Sequence, residues 1–482
     1  MIPAASTRDR RELWIGLALG LYATAVALTP GIVPKAVFCA PLILIPLTWR
    51  LLATSTAWLA LFFACALLAP PLPIRLGDSG PHVALLIAGA GLFIGLLRLP
   101  EWRFRPDPLA VSLLGIAFVF ACSLSMAALY SGPAVAAGSL ARVLLFGISI
   151  YVFLYVRDGP FRARPEQEFR ALRFLFWAGV LSALFACVDF YFQFPTPAGY
   201  EQQFIWLDTG VYRRAQGVFY EASTLGNLCA FFLEMIAVAM FRPRAAFTTM
   251  SAQPLSRLAL FSGGAVLATA LVLSFSRASL VNLAVALVVL LWLHRKQIRW
   301  RRLAMGVIFF GTSAGAILLA AFPAFTGMAW LRLFNALQYF SESPNTVLSG
   351  RVASWQTLLS FLASNPWHAL LGVGYKTLPY SDFIGATAVG DNTYLTLLVE
   401  TGVVGLAAVI ALNGAILVYA YRAARSASPL RSFCGTWMAC FWTGQVVQMF
   451  SADLLTYWRV LPVYFFVLAL AVREEAQPQR IT

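Results

Sequence analysis

Apolar runs long enough to cross a bilayer recur along almost the whole chain, separated by short links rich in arginine, proline and glycine. About 20 apolar residues span the hydrocarbon as a helix. Only helices or closed barrels can carry a backbone through lipid with every N–H and C=O satisfied. These runs are continuously apolar, without the alternation of a barrel strand, so they select the helix. Sixty per cent of the 482 residues are hydrophobic and 11% charged, and the mean hydropathy is +0.77. The expectation is an all-α polytopic membrane protein, one integral membrane domain over residues 1–482, with about fourteen spans. Their centres fall near Ala18, Ala40, Ala60, Gly89, Ala117, Leu144, Val180, Ala230, Ala265, Ala284, Gly311, Leu406, Ala439 and Phe465. The first run lacks an A-x-A-like cleavage site and is read as a retained helix.

The net charge of +15 suggests nucleic acid until its placement is considered. Alternating the links between the two sides puts 25 of the 35 basic and 9 of the 20 acidic side chains on one side, a net +16, against −1 for everything else. Such asymmetry marks the cytoplasmic side and puts both termini there. The basic excess therefore reports topology and anionic headgroups, and no nucleic acid is needed. Cys39, Cys65, Cys122, Cys187, Cys229 and Cys440 lie in apolar runs and form no C-x-x-C, so they read as small apolar residues. The three histidines, His82, His294 and His368, have no acidic neighbours at ligand spacing, and no metal site is expected.

Two outward loops stand out, 195–217 and the long 324–390. In the second, Trp330 to Tyr339 and Ala353 to Ala363 have helical periodicity, with Trp, Leu and Phe on one face, as expected of amphipathic helices at the outer interface. Asn365-Pro366 breaks the second helix, and a Gly372-x-Gly374 turn follows.

The candidate chemistry clusters at these loops. Arg277, in Ser274-Phe275-Ser276-Arg277-Ala278-Ser279, and Arg351, in Gly350-Arg351-Val352-Ala353-Ser354-Trp355, carry planar forks that suit a diphosphate; the alternative is anchoring to lipid headgroups. Arg213 and Arg214 precede Phe219-Tyr220-Glu221-Ala222-Ser223, where Glu221 reads as a general base or as a carboxylate favoured by a helix N-terminus. Asp391 reads as a base or as a cap of the helix beginning at Asn392. Tyr375 and Lys376 are phosphate or sugar contacts or solvated loop residues, and Asn392 and Tyr394 join them as substrate contacts. Arg142, Glu234 and Glu400 fall inside spans. Arg142 and Glu400 lie at equal depth, roughly 13 Å from the outer end at 1.5 Å per residue, and are expected to pair as scaffold beneath the site.

The ordered set S-F-S-R-A-S, G-R-V-A-S-W, G-V-G-Y and D-N-T-Y-L-T-L-L-V-E-T-G-V-V-G, over roughly Arg213 to Gly405, resembles the O-antigen ligase and polysaccharide polymerase superfamily. The resemblance implies a bacterial inner-membrane glycosyltransferase of the GT-C type. Such an enzyme moves a glycan from undecaprenyl diphosphate on the periplasmic side, without a metal or other cofactor. It assigns Arg277 and Arg351, aided by Arg213 or Arg214, to the diphosphate, and Glu221 or Asp391 to the acceptor hydroxyl. The ligase branch has a histidine where this chain has Asp391, whereas F-Y-E-A-S is similar to the F-x-E-P-S element of repeat-unit polymerases. The resemblance therefore implies polymerisation of O-antigen, capsule or exopolysaccharide repeat units with inversion, beside membrane lipids, a flippase and a chain-length regulator. Its rivals are a ligase acting on lipid A core or protein and, less well supported, a transporter or flippase.

Overall fold

The computed structural model describes residues 56–72, 81–161, 165–196, 200, 202–207, 210–241, 255–296, 351–378 and 391–473, with isolated positions between 16 and 35. The chain divides into two compact units, Met1–Trp58 and Leu59–Thr482. In the first, the described residues include a helical stretch in which Thr24 donates to Gly20 O at 2.8 Å. Everything below concerns the second.

Its described helices are α1 (Ala57–Leu68, which begins at the boundary), α2 (Val83–Leu97), α3 (Pro108–Ser131), α4 (Pro133–Arg157), α5 (Pro165–Phe192), α6 (Ala222–Phe241), α7 (Arg257–Leu273), α8 (Arg277–Leu293), α9 (Arg351–Ser364), α10 (Pro366–Leu371), α11 (Thr393–Ala424), α12 (Pro429–Gln448) and α13 (Leu461–Val472). Local chemistry sets several of the ends. Asp107 caps α3, accepting from Ala110 N at 2.8 Å, and Pro108 fills the first turn where no N–H is needed. Gly132, with φ +85°, supplies the left-handed residue between α3 and Pro133 of α4.

Five helices, α3, α4, α5, α6 and α11, are long and apolar enough to cross a membrane. They correspond to the spans expected near Ala117, Leu144, Val180, Ala230 and Leu406. Those expected near Ala60, Gly89, Ala265, Ala284 and Phe465 are shorter apolar helices of 12 to 17 residues, and the one near Ala439 is the 20-residue α12. Those near Ala18, Ala40 and Gly311 lie outside the described residues, as does the expected helix Trp330–Tyr339. The many exposed leucines and phenylalanines of these helices, such as Phe118 and Leu144, are what a lipid-facing surface requires. The chain is a helical membrane protein.

Helix α13 is apolar all round and buried along nearly its whole length, as expected of a helix with no solvent face. It packs against α4, α11 and α12; α12 in turn packs on α8 and α11, and α11 on α3. One element departs from the all-helical expectation. Within the loop 195–217, β1 (Phe204–Leu207) and β2 (Gly210–Arg213) pair as an antiparallel hairpin, with Phe204 opposite Arg213 and Trp206 opposite Val211.

Candidate functional site

The site is built on a break in α11. Gly402 has φ +71° and ψ −170° in the middle of the helix. A residue in that conformation pulls the following N–H groups away from the carbonyls of the preceding turn. Two of those carbonyls find partners in the loop after α10: Val373 N donates to Val399 O at 3.0 Å, and Gly374 N to Glu400 O at 2.8 Å. The approach is backbone against backbone. A Cβ on Gly372 would meet Glu400 and Thr401, one on Gly374 would meet Ala127, and one on Gly402 would meet Leu370 and Leu371. The G-V-G and E-T-G motifs, thirty residues apart in sequence, are the two halves of one joint. Leu358, Leu362, Val373, Leu378 and Val399 form the apolar cluster that holds it.

This joint sends Tyr375 and Lys376 inward, so the solvated-loop reading of both is corrected. Tyr375 stacks on Phe120 of α3 with centroids 4.0 Å apart, its N–H donates to Ser123 Oγ at 3.2 Å, and its carbonyl accepts from Ser139 Oγ of α4. Burial raises its phenol above the usual range, with Glu400 adding to the shift. Lys376 has φ +59°, a backbone strain held in place by its surroundings, and its buried ammonium forms an ion pair with Asp453. Burial lowers the Lys376 pKa to about 8, against the opposing charges of Glu400 and Glu221, with Arg142 reinforcing the drop. Glu400 is buried, its carboxylate lying against the backbone N–H groups of Lys376 and Leu378 and within electrostatic reach of Arg142.

Both candidate bases lie within electrostatic reach of Tyr457. This buried phenol follows the single turn Leu454–Thr456, and its pKa is raised by burial first and by the charges of Glu221 and Asp391 as well, while a hydrogen bond with Ser223 opposes them. Glu221 stands just before α6, where Thr224 Oγ1 donates to it at 3.4 Å. Asp391 is not the cap of α11. Asn392 is, accepting from Tyr394 N and Leu395 N at 3.0 and 3.1 Å. Asp391 instead pairs with Arg351 Nε at 3.0 Å, bringing the first residue of α9 to the mouth of α11. Tyr394 donates from its hydroxyl to Val446 O at 2.9 Å, and Thr393 fastens the Asp453 turn by donating to Ala452 O at 2.7 Å.

Arg277 is exposed at the first position of α8, whose cap is Ser276. Phe275 takes φ +50° in the turn before it. That turn is fixed by Arg214, whose Nε donates to Ser274 O at 2.7 Å and whose Nη1 donates to Gln203 at 2.6 Å, and by Ala215 N donating to Leu273 O at 3.1 Å. Gly226 of α6 leaves room for the serines of the turn. Arg214 therefore positions the segment that carries Arg277. Arg213 points elsewhere: its guanidinium is buried, donating to Asp189 at 2.7 Å and to Phe194 O at 2.7 Å. A guanidinium so engaged acts as a clamp on the hairpin.

Sequence reasoning missed three features. Asp453 and Tyr457 lie in the short turn before the last apolar run, outside any motif. Arg459 is buried and donates to Ala66 O at 2.8 Å, Ala69 O at 2.7 Å, Val218 O and the Tyr200 hydroxyl, tying the end of α1 to the segment leading to Glu221. The third is an amide network. Asn227 and Asn282 each donate to both Gln445 and Gln448 at 2.8 to 2.9 Å, and Tyr464 donates to Asn227 at 2.6 Å. It locks α6, which follows Glu221, and α8, which begins at Arg277, to α12 and α13. The signal was available: four amides within apolar runs, where a buried polar group is retained only with partners. Among the described residues, no group of three or more His, Cys, Asp and Glu side chains is placed to hold a metal ion.

No curated protein matches the chain. Residues 263–410, roughly a third of it, match a family model described as O-Antigen ligase. This stretch contains Arg277, Arg351, the Gly372–Lys376 loop, Asp391 and the break at Gly402, while Glu221, Asp453 and Tyr457 are brought to it from outside. The match, over the segment that forms the joint and carries Arg277 and Arg351, supports a relation to the O-antigen ligase and polymerase superfamily.

Proposed function

We propose that the protein polymerises undecaprenyl-diphosphate-linked oligosaccharide repeat units on the periplasmic face of the bacterial inner membrane, producing O-antigen, capsule or exopolysaccharide. The observation that carries this reading is the convergence of Glu221, Asp391, Arg351 and Lys376, from four distant segments, on the surroundings of Tyr457 and Asp453. The ion pairs Arg351–Asp391 and Lys376–Asp453, with Glu221 in electrostatic reach of Lys376, suit a reaction in which one reactant loses a proton and the other departs as a diphosphate. The distribution of basic residues supports about fourteen spans, with both termini cytoplasmic and loops 195–217 and 324–390 outside, and the family resemblance implies a GT-C-like bundle.

In the mechanism, Arg277, Arg351 and Lys376 hold the diphosphate of the lipid-linked growing chain. Glu221 or Asp391 accepts the proton of a hydroxyl on the incoming repeat unit. That oxygen attacks the anomeric carbon from the face opposite the diphosphate. The carbon–oxygen bond to phosphate breaks, and undecaprenyl diphosphate leaves with the electron pair. Diphosphate is a good leaving group, so positioning and charge stabilisation supply most of the acceleration and no metal is required. A flippase delivers the substrate and a chain-length regulator acts beside the enzyme.

A second reading, transfer of finished glycan to lipid A core or protein, is favoured by the description of the matched family. Sizing lipid-linked glycans in a deletion strain separates the two. Single repeat units accumulate if the protein is the polymerase, whereas full-length polymer stranded on undecaprenyl diphosphate identifies a ligase. A ladder that Glu221→Gln fails to restore at normal expression assigns the base role to Glu221, while a ladder restored by Glu221→Gln and lost in Asp391→Asn assigns it to Asp391.

A further inference from the structure

On α5, Leu181, Leu184, Phe185, Val188 and Phe192 recur at helical spacing and are all exposed, the lipid-facing stripe of a membrane span. The stripe does not stop where the helix stops. Phe194 stacks against both Phe185 and Phe192, with ring planes within 15° and centroids 6.4 and 5.7 Å apart. The hairpin is joined to this end of α5 by Tyr212, which stacks on Phe190 with centroids 6.2 Å apart, and it exposes Phe204 and Val211 by 44% and 56%, while Tyr191 of α5 is 78% exposed.

The hairpin is also held rigidly. Gln193, at φ +52°, accepts from Arg213 N at 2.8 Å and donates to Arg213 O at 3.2 Å, while the Arg213 guanidinium reaches Asp189 and Phe194 O. Ile205 faces inward, almost fully buried. Arg213 is the sole charged residue in the two strands, and it is turned in to Asp189. Exposed hairpin edges in water ordinarily carry charge against aggregation; this one presents apolar side chains.

We propose that the β1–β2 hairpin is seated in one leaflet of the bilayer, its outward face covered by phospholipid. Continuity with the lipid-facing stripe of α5 selects the occupant. The depth follows from the backbone: a two-stranded sheet has open edges that need hydrogen-bond partners, which hydrocarbon does not offer. The strands therefore lie at the headgroup and upper acyl level, about 5–10 Å deep, with Phe204 and Val211 directed into the chains and the aromatic end of α5 forming the interfacial belt. In this placement Arg213 is a clamp that keeps a charge out of the lipid face.

The test needs no glycan and no turnover, so its outcome is independent of the proposed reaction. A nitroxide on a genetically encoded side chain at position 211 is compared with one at position 202, in full-length protein reconstituted in phosphatidylethanolamine–phosphatidylglycerol vesicles. The expected result is relaxation at 211 dominated by dissolved oxygen, with a water-soluble nickel chelate at least several-fold less effective than at 202. Equal chelate access at the two positions overturns the proposal, including the case in which the hairpin serves a hydrated glycan. Hydroxyl-radical oxidation of the unmodified protein in the same vesicles supplies the check free of substitutions. Tyr191 and Phe204 stay as unreactive as buried Tyr375; oxidation in proportion to their exposure in the protein alone overturns the assignment.

Discussion

Gly402→Ala tests whether the joint between α11 and the Gly372–Gly374 loop is what assembles the site. Two responses are open to the chain. If the break persists, alanine sits at φ +71°, where a Cβ costs roughly 1–2 kcal/mol, and that Cβ meets the backbone of Leu370 and Leu371, so α10 must shift. If the helix heals instead, the carbonyls of Val399 and Glu400 recover their own i+4 partners. The N–H groups of Val373 and Gly374 then lose theirs. Each buried donor left unpaired costs about 1–3 kcal/mol, so this route costs about 2–6 kcal/mol, paid by the loop and not by the helix. Either way Lys376 is dislodged from Asp453 and Glu400. The expected outcome is a protein whose helix content is unchanged, whose thermal midpoint falls, and whose glycan ladder disappears in a complemented deletion strain. Gly414→Ala, at a position where an added Cβ meets nothing within 4 Å, serves as the control and restores the ladder. A Gly402→Ala protein with the ladder and melting profile of the wild type would refute the argument that the joint organises the site.

Two further outcomes follow from the charges. Lys376 loses its proton at about pH 8, so donor KM is flat below that pH and rises about tenfold per unit above it, while Lys376→Arg removes the alkaline limb. Because the folded state has the lower pKa, between about 8 and 10.5 the unfolded state binds the extra proton, and this group makes the fold more stable as pH rises, by up to about 3 kcal/mol; loss of activity together with loss of stability in that window would contradict the assignment. Arg351 and Asp391 are partly exposed, so breaking their pair costs at most about 1 kcal/mol. Arg351→Ala is therefore expected to leave the melting temperature nearly unchanged and to raise donor KM at least tenfold, and Arg351→Lys, which keeps charge but loses the fork, recovers only part of it; wild-type KM in Arg351→Ala removes Arg351 from the diphosphate site.

What the sequence disclosed follows from the range of each signal. Hydropathy is local, so the centres of the long helices α3 to α6 and α11 were legible, as were the helix at Arg351–Ser364 and its end at Asn365-Pro366. The hairpin was not, although Asp208-Thr209-Gly210 between β-rich tetrapeptides is a turn signal; the hydropathy of the loop masked it. Asp391 was read as a cap because the run after it is apolar, but capping depends on which oxygen reaches the free N–H groups, and Asn392 is one residue closer. Arg213 and Arg214 are neighbours with opposite fates. On a strand successive side chains leave opposite faces, so one turns to Asp189 and the other reaches Ser274. Asp453 and Tyr457 carry no motif at all, since their meaning comes from Lys376, Glu221 and Asp391, each at least sixty residues away in sequence.

Glu400 shows how a local inference gains a different meaning from structure. Equal depth in the membrane suggested a pair with Arg142, and the two are in electrostatic reach. Yet a carboxylate placed only to neutralise an arginine has no need to sit beside the one break in its helix. In this protein it lies against the N–H groups of Lys376 and Leu378 and opposite the Lys376 charge, while the carbonyl of the same residue accepts from Gly374. Glu400 thus receives the loop through side chain and main chain together. A buried lysine two residues after a glycine turn would be expelled by desolvation without anionic partners; Glu400 and Asp453 approach it from α11 and from the turn before α13. Lys376, Glu400 and Asp453 are best understood as one device, in which α11 and the turn before α13 hold a buried ammonium between two carboxylates.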